Sequence, residues 1–138
     1  MYNRMQLRHI LGALGLSLLL LCSCGKGDGQ GAKLAPVRGR VTFKNEAVTA
    51  ADIYFIPDAS KGNHGTMGSS MLQEDGSFTI ETYGKGAGVV PGAYKVKLNL
   101  GRRNDKELAK YARVETSQLA FDVGPEGLDN LHIELMKP

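Results

Sequence analysis

The stretch Pro91-Gly-Ala-Tyr-Lys-Val-Lys-Leu-Asn-Leu100 decides the fold. Tyr94, Val96, Leu98 and Leu100 alternate with Lys95, Lys97 and Asn99, a period of two that sends apolar groups to one face of a strand and polar groups to the other. The same period recurs upstream. Val37, Gly39, Val41 and Phe43 oppose Arg38, Arg40 and Thr42; Ile53 and Phe55 oppose Asp52 and Tyr54; Phe78, Ile80 and Thr82 oppose Thr79 and Glu81. Downstream, Leu119, Phe121 and Val123 alternate with Ala120 and Asp122, and Leu131, Ile133 and Leu135 surround His132 and Glu134. With a weaker strand over Gly68 to Gln73, the pattern predicts an all-β, seven-stranded antiparallel β-sandwich, each strand apolar on one side only.

The joints agree with this reading. Lys44-Asn45-Glu46 and Glu74-Asp75-Gly76-Ser77 are short polar turns, the second with Asp-Gly where a hairpin needs positive φ. Pro91-Gly92 introduces the Tyr94 strand, and Gly84 to Gly92 reads as a long glycine-rich loop between strands. Asn104-Asp-Lys-Glu107 has the form of a capping box, with Leu108, Tyr111 and Ala112 at helical spacing behind it, so a surface excursion of one or two helical turns is expected there. At 138 residues the chain has room for one ordinary domain, and Gly 18 against Trp 0 suits a turn-rich sandwich with a modest core.

The first residues read differently. Arg4, Arg8 and His9 precede the apolar run Ile10 to Leu21, which is the anatomy of a signal peptide and is too short for a membrane span of about 20 residues. Leu21-Cys22-Ser23-Cys24 resembles the lipobox of bacterial lipoproteins, with an aliphatic residue, a tolerant position, a small residue and then the cysteine that is modified. Cys24 fits that role and Cys22 does not, because cleavage before Cys22 would put bulky Leu21 where Ser23 stands for Cys24. The resemblance implies cleavage before Cys24, a diacylglycerol on its thiol and a further acyl chain, such as palmitate, on the freed amine. Several acyl chains hold a protein to a bilayer far longer than one.

Glycine at every second position from Gly25 to Gly31 marks a flexible tether. The expected organisation is therefore a signal peptide over 1–23, a lipidated cysteine and linker over 24–35, and the sandwich over 36–138.

Three motifs in the sandwich resemble the carboxypeptidase regulatory-like, or transthyretin-like, domains of many bacterial surface lipoproteins. They are Val37-Arg-Gly-Arg-Val-Thr-Phe followed by Glu46-Ala-Val-Thr-Ala-Ala-Asp-Ile, then Glu74-Asp-Gly-Ser-Phe-Thr-Ile, then Pro91-Gly-Ala-Tyr-Lys-Val. Ala47 stands where the family usually has proline, and Ala51-Asp52 where it usually has Gly-Ala. The resemblance implies a structural or adhesive module and no catalytic activity. A hydrolase relative of the fold works with clustered histidines and a Tyr-Arg-Gly-Ser terminus, against which this chain has His64 in a loop, His132 on a strand's polar face, and Leu135-Met-Lys-Pro at its end.

Other chemistry finds little support in the residues. Ser69, Ser70, His64 and Asp75 supply the types for a nucleophile, base and orienter, but nothing in their spacing brings them within about 3 Å. Gly84-Lys-Gly-Ala-Gly-Val-Val-Pro-Gly matches neither phosphate-binding glycine motif, Gln73-Glu-Asp-Gly lacks the repeated oxygens of a calcium loop, and the two cysteines with no nearby histidine make no zinc set. No cofactor or metal is expected.

The formal charge is +3, and without Arg4 and Arg8 of the leader only one positive charge remains in excess, too little for a nucleic-acid partner. The candidate anionic-ligand patch is Arg102, Arg103, Lys106, Lys110 and Arg113, diluted by Asp105, Glu107 and Glu115.

The sequence thus predicts an envelope lipoprotein, anchored on the extracytoplasmic side through covalent lipid, that displays a non-catalytic structural or interaction module toward an envelope protein or polysaccharide. A carbohydrate-binding module is the second reading, for which Tyr54, Tyr83, Tyr94 and Tyr111 are the available aromatics in place of tryptophan.

Overall fold

The computed structural model describes residues 31–101 and 106–136. The expected signal peptide and lipobox, with Leu21, Cys22, Ser23 and Cys24, and Arg102 and Arg103 lie outside them.

Ten strands run in chain order: β1 (Val37–Phe43), β2 (Glu46–Ala47), β3 (Asp52–Pro57), β4 (Gly68–Met71), β5 (Ser77–Thr79), β6 (Glu81–Thr82), β7 (Gly86–Ala87), β8 (Gly92–Asn99), β9 (Leu119–Val123) and β10 (Leu128–Leu135). They form two sheets with one shared core, an all-β, sandwich-like architecture. The larger sheet has the order β7-β6-β4-β3-β8-β9, antiparallel throughout. In the smaller one β1 pairs with β10 on one side and with β2 and β5 on the other. Residues 31–138 make one compact unit by themselves.

The alternation read from the sequence becomes burial. Val37, Val41, Ile53, Phe55, Ile80, Val96, Leu98 and Ile133 are all buried. Phe55 of β3 joins the two layers, its ring centroid lying 6.4 Å from Phe78 of the small sheet and 6.1 Å from both Tyr94 and Phe121 of the large one. Each such side chain contributes about 1.5–3 kcal/mol by leaving water, so the core carries the fold.

Several expectations need correction. Seven strands become ten, because β2, β6 and β7 have two residues each, too few to show a period. The sandwich is not wholly antiparallel: β1 and β10 run parallel, with Arg40 beside His132 and Phe43 beside Leu135. Alternation is blind to direction, since parallel and antiparallel strands both send every second side chain to one face.

The stretch from Phe78 to Thr82 is two strands, β5 in the small sheet and β6 in the large. Phe78, Ile80 and Thr82 stay buried across the break because both sheets enclose the same interior. Gly84 to Gly92 is not a plain loop either. It holds β7, paired with β6, and Val89, which exchanges hydrogen bonds of 2.7 and 2.9 Å with Ala35. Ala35, assigned to the tether on composition, is thereby buried against the sandwich.

The helical excursion is present but short. A 3-10 turn at Ala109–Ala112 is followed by a single α-turn, α1 (Val114–Ser117). The 3-10 turn has no side-chain cap at Leu108, and Asn104 and Asp105 of the capping box lie outside the described residues. Leu108 and Tyr111 are buried, and the Tyr111 hydroxyl accepts from the Met136 N–H at 2.9 Å and donates to the Met136 carbonyl at 3.2 Å. Packing rather than helix propensity holds the segment.

The turns follow backbone demand. Lys44 and Asn45 both take positive φ between Phe43 and Glu46, the left-handed pair of a two-residue hairpin. At Gly76 (φ 78), a side chain would meet the Val41 carbonyl at 2.6 Å, so glycine lets this turn approach β1 as it carries the chain from one sheet to the other.

Candidate functional site

The outer face of the small sheet carries an open groove of about 590 Å³. Arg38, Arg40 and Thr42 arrive from β1 because even positions there point away from the core. The ladder sets Thr79 beside Arg38 and Ser77 beside Arg40 from β5, and His132 beside Arg40 from β10. Asp129, Asn130 and Leu131 complete the β10 wall.

A bulge shapes the middle of this wall. Val37 pairs with Leu128, but Gly39 pairs with Leu131, so β10 spends one residue more than β1. Asn130 takes the left-handed conformation (φ 59), which asparagine tolerates better than most residues. Opposite it, a Cβ on Gly39 would stand 2.0 Å from the Leu131 carbonyl oxygen. Glycine is required here by close approach of two backbones, and the groove lies over that approach.

Polar contacts set the chemistry. The Thr42 hydroxyl and His132 Nε2 share a hydrogen bond of 2.9 Å. Arg40 donates to Asp75 at 3.1 Å. The Ser77 hydroxyl and N–H, followed by Arg40, hold the Asp75 carboxyl down to about 2, well below the usual carboxylate range. Arg38 has no side-chain partner among the described residues. The groove therefore offers a free guanidinium, acceptor oxygens from Asp129 and Asn130, and hydroxyls from Thr42, Ser77 and Thr79. Donors and acceptors interleaved over a hollow suit a ligand that presents hydroxyls and oxygen acceptors in turn.

The residues singled out from sequence are placed elsewhere. Lys106 is exposed, the Lys110 ammonium sits 5.0 Å from the Tyr111 ring centre, and Arg113 pairs with Glu115 at 3.7 Å. Lys44 takes Glu107 at 2.6 Å. Within the described part of that patch, local partners engage Lys110 and Arg113.

The tyrosines do not form a platform. Tyr94 and Tyr111 belong to the core, Tyr54 lies 5.4 Å from the Lys97 ammonium, and among the described residues no ring contact joins Tyr54 to Tyr83. Nor are Ser69, Ser70, His64 and Asp75 assembled: Ser70 donates to the Met71 carbonyl, and Asp75 is held by Ser77 and Arg40.

The sequence pattern shows only half of the groove. The shared face of Arg38, Arg40 and Thr42 and the polar position of His132 are plain in the pattern, but their adjacency needs the parallel β1/β10 pair. No protein-family model, curated protein or solved structure matches this chain.

Proposed function

We propose that the chain is an envelope lipoprotein, cut before Cys24 and acylated there, that holds a non-catalytic β-sandwich of the carboxypeptidase regulatory-like kind outside the cytoplasm as an interaction module. The observation that carries this reading is Leu21-Cys22-Ser23-Cys24 placed directly behind a basic start and an apolar run. The groove over β1 is the contact surface of the module. Its hollow and its exposed polar groups give a partner something to grip.

Mass spectrometry of the protein purified from membranes tests the anchor. The expected mass is that of residues 24–138 plus acyl chains, and C24S is expected to lose both the acyl mass and the membrane fraction. Recovery of the chain with residues 1–23 attached, or trimmed without lipid, rejects the anchor.

Carbohydrate binding is the second reading, favoured by the mixture of Arg38, Asp129, Asn130 and hydroxyl side chains in one groove. Affinity electrophoresis against purified envelope polysaccharides checks it. A retardation lost in R38A supports the sugar reading, and equal mobility of R38A and the parent on every polymer counts against it.

A further inference from the structure

We infer that one end of the large sheet, built by Met67, Tyr83, Lys33 and Lys85, is a foot that rests on the bilayer surface and orients the sandwich. The inference rests on the lipid-anchor reading and adds a second, non-covalent contact to it.

Two observations meet at this end. The first is exposed apolar surface. Thr82 pairs with Gly86, leaving Tyr83-Gly84-Lys85 as the tip of the β6–β7 hairpin, with Gly84 at φ 70. Tyr83 is 96% exposed there, although the tip is firmly made: the Lys85 N–H donates to the Thr82 carbonyl at 2.9 Å, and the Thr82 hydroxyl to the Gly88 carbonyl at 2.7 Å.

The β4/β6 register, Gly68 with Thr82 and Ser69 with Glu81, carried one step further sets Met67 opposite Tyr83, and Met67 is 49% exposed. The other large exposed apolar residues, Met71 and Met136, lie at the opposite end of β4 and beyond β10. A tyrosine presented this way, apolar ring with a polar tip, suits the boundary between headgroups and acyl chains.

The second observation is where the chain arrives. Ala35 is bound to Val89, and Gly31, Lys33 and Leu34 share one recess with Lys85 and Ala87 of the same hairpin. Only the seven residues 24–30, Cys24 included, lead up to this recess. Fully extended they reach at most about 25 Å, so an acylated Cys24 keeps the hairpin near the surface whatever path those residues take.

Lys33 and Lys85 then face a layer whose anionic headgroups attract ammonium groups. Among the described residues of these ladders the acid is Glu81, a residue pair back from the tip. β1 and β10 run away from this end in parallel, so Met136 marks the far end of the domain and the groove lies along its flank.

The chain has no tryptophan, and residues 24–138 retain a single thiol, which makes the test direct. The chain from Cys24 onward, which includes the whole compact unit, is coupled through that thiol to maleimide lipid in vesicles of phosphatidylcholine with or without phosphatidylglycerol. Y83W and M136W are compared for emission wavelength and for quenching by brominated acyl chains.

The expected result is a shift of Y83W emission to shorter wavelength with quenching, stronger on anionic vesicles, while M136W behaves as in solution. K33E/K85E in the Y83W background is expected to lose the anionic enhancement. Unchanged Y83W emission on coupling, equal quenching of both reporters, or indifference to K33E/K85E overturns the foot. Because chemical coupling replaces acylation by the cell, such a failure is separate from failure of the lipoprotein reading, which the mass of the native protein alone decides.

Discussion

The large and small sheets enclose one core but are assembled from different parts of the chain. In the large sheet β3 with β4, β6 with β7 and β8 with β9 are neighbours in sequence, and every ladder is antiparallel. In the small sheet β1 and β10 come from opposite ends of the described domain and run parallel over a bulge. The comparison teaches where this fold is locally instructed and where it depends on closure. Strands consecutive in the chain make three of the five ladders of the large sheet, whereas the β1–β10 ladder of the small one forms only when distant segments meet, at the cost of closing a long loop. The groove lies over that ladder, so the candidate binding surface depends on the closure that joins the two ends of the described domain.

The largest expected effect breaks the comparison altogether. Phe55 touches aromatic rings from both sheets, so F55A is expected to cost about 3–5 kcal/mol and to loosen both layers in one cooperative step. Urea unfolding followed by two probes checks this; separated transitions would show that the sheets are independent.

Gly39 sharpens the contrast. G39A drives a methyl group into the Leu131 carbonyl, which is backbone and has no rotamer to yield, at a cost of about 1–3 kcal/mol. Hydrogen exchange is expected to rise in β1 and β10 while β3 and β8 stay protected. Uniform loss across all four strands is the contrary result.

Tyr111 ties the end of β10 to the 3-10 turn through both polar groups of Met136. Y111F is expected to cost about 1 kcal/mol, read as a lower urea midpoint with faster exchange confined to the last residues of β10.

The smallest effect is the pH dependence of the Asp75 turn. Its folded-state carboxyl sits at about 2, below the ordinary value near 3.9, so the stability it supplies is complete above about pH 4 and disappears as pH falls toward 2. D75N is expected to flatten this part of the acid profile. A profile as steep in D75N as in the parent would assign the acid sensitivity to another group.

Much of the fold is legible residue by residue. The alternation through Tyr94, Val96 and Leu98 places those three in the core, whereas the excursion, expected at the surface, buries Leu108 and Tyr111. The split at Ile80 is not legible, because a residue that leaves one sheet for another while staying in the same interior keeps its apolar rhythm. The groove is not legible for a related reason. Charge density drew attention to Lys106, Lys110 and Arg113, which stand close along the chain, whereas Arg38 and His132 are far apart in it and each is a single polar residue on a half-buried strand.

Side-chain periodicity is a local property of extended backbone, so the amino-acid order alone determined that this chain builds half-buried strands, which residues face inward, and where several of the tight turns fall. Which strands become neighbours, that β1 and β10 run the same way, and that Gly39 and Asn130 shape a groove between them were decided only by tertiary structure. Pairing direction and register arise from contacts between segments whose separate patterns are equally satisfied by other partners.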